Sequence, residues 1–321
     1  MQLYKNHLPF YNPFMYEFIE IAAQELGFER VYFLAPNRLH TWQKRAKETG
    51  FGTDLIENIA AHDENMSSIA LLIYPYHPYA KGERIPAYYI NSNRSYHAAK
   101  TLVSTLNNAG VSCEYAVLPY RALVHASNIG AIGQNGLLHV KPYGSRIILQ
   151  ALIIHNLAPR SYDTREFACP KNCDACARAC PSNAITDNGL DIRRCMRAQM
   201  EDTMYSDEVK EKLSGHIGCE LCMLACPFNA SLPVDDPDKT IREAFDLKRL
   251  ILGDAAKARA LVGKNMTSKG KLTAEAIVFA AREGLYEAEI REALNSPFEA
   301  VRDAAAWAIK KYFQRASPRK T

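Results

Sequence analysis

Eight of the nine cysteines in this chain of 321 residues lie between Cys169 and Cys226. The first run places Cys169, Cys173, Cys176 and Cys180, with Pro181 directly after. The second places Cys219, Cys222 and Cys226, with Pro227 directly after, and Cys195 stands between the runs. Thiolates at this spacing hold cubane iron–sulfur clusters. Whatever else the chain folds into, it must bring these side chains into a small volume, and it must move electrons or use them.

Three closely spaced cysteines cover three irons of one cluster, and the cysteine beside proline serves the neighbouring cluster in two-cluster ferredoxins. On that pattern Cys169, Cys173 and Cys176 are completed by Cys226, while Cys180 joins Cys195, Cys219 and Cys222. Eight ligands make two [4Fe–4S] clusters, and Cys113 remains as a buried or idle thiol. The crossed assignment is an inference, because Cys169 and Cys173 are separated by three residues rather than two. Cys195 also has to replace a first cysteine that the second run lacks. The rival readings are zinc and disulfides. Four-cysteine zinc sites come as two separated C-x2-C pairs and do not need the C-x3-C-P ending found here twice. Disulfides need an oxidising compartment, and the opening residues, Met1 to Pro9, contain no apolar segment of signal-peptide type.

The length allows two or three domains. A hydrophobic content of 48% and a charged content of 23% are ordinary for a globular protein, and the net charge of +4 is mild. The longest apolar stretch, Ile147–Ile154, is interrupted by Gln150 and is too short to span a bilayer. A cytoplasmic protein with reduced thiols and no membrane partner is expected.

Residues 12–27 read as an opening helix, with Asn12 able to cap it, Pro13 in the first turn and Gly27 at its end. Residues 31–35 and 69–74 are short apolar runs of strand type. Residues 96–108 are predicted helical, 112–118 a strand and 121–127 a short helix. Residues 145–154 fit a buried strand or a buried helix. Alternating elements imply an α/β or α+β domain over 1–160. A ferredoxin-like double-cluster domain follows over 161–236, closing on a linker from Pro233 to Pro237. Residues 237–321 are predicted helical. Ser296, Pro297 and Glu299 read as a capping box with proline at the first helical position. Helices over 272–283 and 286–294 precede it. This succession fits HEAT-like repeats or a generic bundle.

Charge is uneven along the chain. Residues 240–321 contain 16 Lys/Arg against 10 Asp/Glu, a net +6, which leaves −2 for the rest. Lys264, Lys269 and Lys271 lie close together in a polar loop, and Lys310, Lys311, Arg315, Arg319 and Lys320 follow in the tail. Such a face can contact nucleic-acid phosphates. It can equally be a solvated lysine-rich surface.

A second informative stretch precedes the cysteines: Gly130, Gly133, Asn135 and Leu138, followed by Gly144 and Ser145. Two glycines three apart mark a turn, or a backbone that approaches a bulky ligand. In order with the cysteine runs, the stretch resembles the epoxyqueuosine reductase family, cobalamin- and iron–sulfur-dependent enzymes of tRNA modification. That family carries Gly-Trp-Ile-Gly-Lys-Asn-Thr-Leu-Leu, then Gly-Ser, then two cluster motifs. Arg94, Tyr96 and His97 look like its Arg-Asp-Tyr-His. The stretch from Leu190 to Cys195 looks like its Leu-Asp-Ala-Arg-Arg-Cys, and Gly218 to Asn229 match its second cluster motif. Ala306, Trp307 and Ala308 resemble its terminal helical repeats. The departures are Ala131 and Gln134 where the family has Trp and Lys, and the lack of a counterpart to its Gly-Met-x-Tyr-Leu around 51–67. Its aspartate in Asp-Ser-Ala-Pro falls, counted back from Gly133, on Glu114.

The resemblance implies a base-off cobalamin in the N-terminal domain, lined by Tyr96, His97, Gly130, Gly133, Asn135, Gly144 and Ser145. It implies that electrons from an external donor of flavodoxin or ferredoxin type pass through the two clusters to cobalt, and that tRNA binds through the basic C-terminal helices. Reduction of an epoxide needs a proton. Glu114 is the candidate catalytic acid, which requires a pKa raised by burial; the alternative is a solvent-facing strand glutamate. Tyr115 and Tyr120 are further candidates, and ordinary half-buried aromatics otherwise. His125, His139 and His155 have no motif around them. Two competing functions use the same clusters: an electron carrier or reductive activator without a substrate of its own, and a nucleic-acid-binding protein without turnover.

Overall fold

The computed structural model describes residues 13–49, 68–80, 82–162 and 169–314. The candidate cap Asn12, the 51–67 region and the tail residues Arg315, Arg319 and Lys320 lie outside them. Two compact units are present: the described residues of Met1–Tyr76 and Arg94–Lys171, and those of His77–Asn93 and Asn172–Thr321.

In chain order the first unit holds α1 (Pro13–Gln24), β1 (Arg30–Leu34), α2 (His40–Thr49), β2 (Ser68–Pro75), the larger part of α3 (Ala87–Asn108), β3 (Cys113–Ala116), α4 (Tyr120–Ala126), β4 (Ala131–Ile132), β5 (Leu138–His139) and β6 (Ile147–Ile154). Four strands form an antiparallel sheet in the order β1-β2-β6-β3. The central strands β2 and β6 are covered on both faces, so they read as mostly apolar runs rather than as an alternation. One face packs Val31, Phe33, Leu72 and Leu152 against Tyr16 and Ile19 of α1 and Leu102 and Leu106 of α3. The other packs Tyr32, Leu34, Ile69 and Ile153 against Leu123 and Val124 of α4 and against Ile129, Leu138 and Val140.

Two paired neighbours settle residues 147–154 as a strand. Gln150 inside it is buried but satisfied: the Tyr115 hydroxyl donates to its Oε1 at 2.7 Å, and its Nε2 donates to Ser95 Oγ at 2.9 Å. Helix α1 ends as expected, with Gly27 at φ +89° and the Phe28 N–H returning to the Ala23 carbonyl. Helix α3 begins at Ala87, well before the expected residue 96. Its Tyr-, Asn- and Ser-rich opening has weak helix propensity. Pro86 precedes it, and Glu220 accepts the Tyr88 N–H at 3.2 Å, satisfying one of the orphan donors of its first turn.

The second unit continues with α5 (Ala175–Ala179), β7 (Ile185–Thr186), β8 (Gly189–Leu190), α6 (Met196–Gln199), α7 (Asp207–Lys212) and α8 (Leu221–Leu224). Six further helices follow: α9 (Lys239–Ala244), α10 (Leu247–Ile251), α11 (Ala256–Val262), α12 (Lys271–Arg282), α13 (Glu287–Glu292) and α14 (Glu299–Ala308). Asp238 and Asp246 cap α9 and α10 by accepting the Ile241 and Arg249 N–H groups at 2.8 and 2.9 Å. Helix α12, buried through Ala281, packs against α10 and α14. Among the described residues no helix is long and apolar enough to cross a membrane.

Three sequence expectations change here. The stretch from Pro233 to Pro237 is not a loose linker, because the Asp235 N–H donates to the Pro78 carbonyl at 3.0 Å and its carboxylate meets His77 Nδ1 at 3.1 Å. Lys271 is buried at the start of α12, with its ammonium on the Met200 carbonyl, so it leaves the basic loop to the exposed Lys264 and Lys269. Burial also holds the Lys271 ammonium below its usual pKa range. The capping box does not form. Phe298 is extended and supplies the first helical acceptor of α14, while Ser296 accepts the nearby Phe298 N–H at 3.3 Å.

Gly270 precedes α12 with φ +76°, and a Cβ there would lie 2.6 Å from Val301 Cγ2 and 3.0 Å from Phe298 Cβ. Gly270→Ala should therefore destabilise the second unit by about 1–3 kcal/mol through overpacking and a disfavoured backbone. Urea unfolding of the purified protein reads this directly, and an unchanged midpoint would refute the packing account.

Candidate iron–sulfur centre

Cys169 belongs to the first unit, and the other seven cysteines of the window lie in the second, where the two runs are built the same way. Cys176 sits on α5 and Cys222 on α8, and these two short helices pack together. Cys180 ends α5 in extended backbone, and Cys226, also extended, opens the 3-10 turn Pro227–Asn229. Proline after each cysteine stops the helix and turns the thiol out of its line. Cys176 and Cys226 are buried, Cys169 is exposed, and the other five of the eight are half-buried. Among the described residues no disulfide joins any of them.

Thiol acidity shows which of them are gathered. Burial first pushes the Cys222 thiol up to about 12, and Cys219, Cys195, Cys176 and Cys180 push the same way. Cys219 is raised by burial first and then by Cys195 and Cys180. At Cys180 burial also acts to raise the pKa, but hydrogen bonds from Ser182, Ala184 and Ile185 carry it below its ordinary value. Cys176, Cys180, Cys195 and Cys219 all lie near enough to Cys222 to act on its thiol. Such a set of crowded thiols fits a metal–sulfur centre, since iron binding removes the protons that mutual repulsion would otherwise retain. Among the described residues no three ligating side chains are gathered as they would be around a single ion. Cys113 stands apart on β3, buried, with its thiol raised to about 11 by burial and then by Glu114.

The glycine stretch is a hairpin. Strands β4 and β5 pair Ala131 with His139 and Ile132 with Leu138. Its turn is closed by Gly133 N–H to the Leu137 carbonyl at 2.9 Å and by Leu137 N–H to Asn135 Oδ1 at 3.1 Å. A Cβ on Gly130 would stand 2.5 Å from the His139 carbonyl oxygen, and one on Gly133 would stand 3.1 Å from His139 Nε2. The hairpin itself therefore requires a glycine at 130, where the clash is with backbone, and leaves little room at 133, where the Asn135 and His139 side chains stand close. His139 is 2% exposed, and burial lowers its imidazole to about 4. Gly144 (φ +60°) turns the chain back so that its carbonyl accepts the Val140 N–H at 2.9 Å, and Ser145 beside it is buried. At the hairpin tip the Gln134 N–H donates to Cys169 Sγ at 3.4 Å. Hydrogen bonds to ligating sulfur are one of the levers on a cluster's potential.

The remaining candidates lie elsewhere in the first unit. Tyr96 and His97 are exposed on α3, and the Tyr96 ring meets Tyr115 edge-on at 5.5 Å. Tyr115 packs on the α1/α3 face of the sheet, whereas Leu138 and Val140 at the base of the hairpin pack on the other. Tyr96 is thus not gathered with Gly130, Gly133, Asn135, Gly144 and Ser145. Glu114 pairs with Ile153 across β3 and β6, and its carboxylate lies 3.4 Å from His155 Nε2. Its side chain is 43% exposed, so the burial expected of the catalytic acid is not supplied by the strand. Tyr115 donates to Gln150 and Tyr120 to the Ala116 carbonyl at 3.3 Å. His125 is exposed on α4. The sequence offered no signal for His139 as the filler beneath the glycines, since its neighbours in space are brought there by the turn.

Fold and cysteine arrangement together define an iron–sulfur protein. Residues 169–229 match the family described as 4Fe-4S double cluster binding domain. The chain is similar to epoxyqueuosine reductases. It is 30% identical over 206 residues to that of Lactococcus garvieae, which covers 59% of this chain and 57% of the relative, and 37% identical over 114 residues to that of Aliivibrio fischeri, covering 34% and 30%. The matched part thus spans little more than half of the first of these relatives and less than a third of the second. Epoxyqueuosine reductase from Streptococcus thermophilus shares the fold, with a TM-score of 0.70 at 22% identity over 95% of this chain and 92% of that one. An epoxyqueuosine reductase solved with an epoxyqueuosine-modified tRNA-Tyr stem loop gives 0.73 at 19% identity, over 92% and 90%.

His139 makes acid stability testable. The unfolded imidazole takes up a proton at its ordinary value of 6.5, and the folded one resists until about 4. Stability from this residue is therefore full above pH 6.5, falls as the pH drops toward 4, and is flat below. His139→Gln should flatten that acid limb in urea unfolding followed from pH 7 to 4. A slope equal to that of the parent protein would show that His139 is not the group responsible.

Proposed function

We propose that this chain is a cobalamin-dependent iron–sulfur reductase of the epoxyqueuosine reductase type, acting on tRNA in the cytoplasm. Cys169, Cys173, Cys176 and Cys226 hold one [4Fe–4S] cluster, and Cys180, Cys195, Cys219 and Cys222 hold the other. The observation that carries this reading is the match of residues 169–229 to double-cluster domains, with Cys176 and Cys222 carried on the packed helices α5 and α8. The shared fold supports it across nearly the whole chain. In this reading residues 1–160 form the corrinoid-binding domain, 161–236 the cluster domain, and 237–321 a HEAT-like repeat region.

When bound, the clusters supply one-electron transfers and cobalamin supplies a low-valent metal as the terminal reductant. The chain's own residues position the thiols, shield Cys176 and Cys226 from water, and offer the Gln134 N–H to Cys169. Cobalamin enters through the family resemblance. The residues it assigns to cobalamin are not all gathered in one place: Gly130 and Gly133 belong to the hairpin, and Tyr96 packs on the opposite sheet face. Glu114, with His155 beside it, is the carboxyl that can deliver a proton. A donor of flavodoxin or ferredoxin type supplies electrons. The exposed Lys264, Lys269 and Lys310 suit tRNA phosphates.

The decisive experiment pairs binding with turnover. Cluster-loaded protein titrated with cobalamin should give a saturable change in the corrinoid spectrum and should reduce epoxyqueuosine in tRNA. Failure of that titration would leave the electron-carrier reading in its place. Glu114→Gln should lower turnover roughly 10²–10⁴-fold while leaving iron content unchanged, the range for a lost general acid. Full activity in that variant removes Glu114 from the chemistry.

A further inference from the structure

Helix α12 carries a carboxyl that belongs to no ligand set and no substrate-binding candidate. Glu275 is 0% exposed. Three donors from elsewhere in the second unit converge on it. The Tyr205 hydroxyl donates to Oε1 at 2.7 Å, the Ile217 backbone N–H donates to Oε2 at 3.0 Å, and His216 Nδ1 lies 3.2 Å from Oε2. A buried carboxyl is tolerated only where hydrogen bonds replace water, and these three contacts do so while tying α12 to two other segments.

What they fix is the segment leading into the second cysteine run. Ile217 has φ +67°, a left-handed conformation that a β-branched residue adopts only when its surroundings over-determine it. The His216 N–H is held by the Arg84 carbonyl at 2.8 Å, and the His216 ring sits edge-on to Phe279 at 4.9 Å. Gly218 is pressed against Tyr89, where a Cβ would stand 3.0 Å from the ring. Cys219 and Cys222 follow at once. Without the carboxyl the buried Ile217 N–H loses its acceptor, and the segment has to turn elsewhere to satisfy it.

We propose that Glu275 is a positioning residue for the second cluster: by holding Ile217 in its left-handed turn it sets the direction in which Cys219 and Cys222 are presented to iron. The inference rests on the assignment of Cys219 and Cys222 as cluster ligands. Partners that orient metal ligands from behind typically govern metal retention by 10–100-fold.

The test uses the full chain reconstituted anaerobically with iron and sulfide. Iron and acid-labile sulfide per chain, the rate of iron release to a chelator, and the electron paramagnetic resonance spectrum after reduction are measured for Glu275→Leu, Glu275→Gln and Tyr205→Phe. Thr273→Val serves as the structural control, because it loses a buried hydrogen bond of 2.8 Å to the Leu250 carbonyl on the same helix without touching the segment. Glu275→Leu should drop to about half the iron of the parent, and its release rate should rise 10–100-fold. Glu275→Gln, which keeps one acceptor oxygen, should fall between and show an altered spectrum, and Tyr205→Phe should release iron faster than the parent. Thr273→Val should unfold more readily yet keep the parent's iron and spectrum. Parental iron, release rate and spectrum in Glu275→Gln and Tyr205→Phe would overturn the proposal even if Glu275→Leu fails to fold. A Cys219→Ser variant that retains all its iron would instead overturn the ligand assignment beneath it.

Discussion

Thiolates repel one another, and the second unit places Cys176, Cys180, Cys195 and Cys219 near Cys222 all the same. Cys180, Cys195, Cys219 and Cys222 come from three separate segments, and burial and mutual repulsion both favour their protonated forms at Cys219 and Cys222. Apolar and hydrogen-bonded neighbours hold those segments in place before any metal contributes. The Asn229 amide donates to the Met223 carbonyl at 2.8 Å beneath the second run, and Tyr89 backs Gly218. Iron binding there would have to displace those protons, so the metal would be held less tightly as the pH falls.

The first unit solves a different problem. Its sheet carries central strands buried on both faces, so the only polar residue deep in β6, Gln150, must find both a donor and an acceptor partner, and it does in Tyr115 and Ser95. That leaves Tyr115 committed to the core. Glu114, its neighbour on the same strand, faces the other way and stays half-exposed beside His155. One strand thus separates a structural hydroxyl from a half-exposed carboxylate.

Much of this was legible in the chain itself. Ligand spacing is local, so the cysteine runs carry their meaning without a fold, and helix α1 announces itself through Pro13 and Gly27. The β2 run reads as a strand because a segment covered on both faces is filled mostly by apolar side chains. Other features depend on residues far away in sequence. The start of α3 relies on Glu220 as a remote cap. Lys271 looks like one more loop cation, and only the Met200 carbonyl reveals it as buried. Glu275 is a single glutamate on a helix, and its partners Tyr205 and Ile217 lie 70 and 58 residues away. The serine and glutamate around Pro297 satisfy the spacing of a capping box, yet the extended Phe298 moves the helix start past them.

The hairpin that holds Gly130 and Gly133 constrains its own sequence. A Cβ at Gly130 would stand 2.5 Å from the His139 carbonyl oxygen, a backbone atom with little freedom to move aside, and one at Gly133 would press on the Asn135 and His139 side chains. A Gly-x-x-Gly stretch that the turn itself accounts for is no evidence that a ligand approaches the loop.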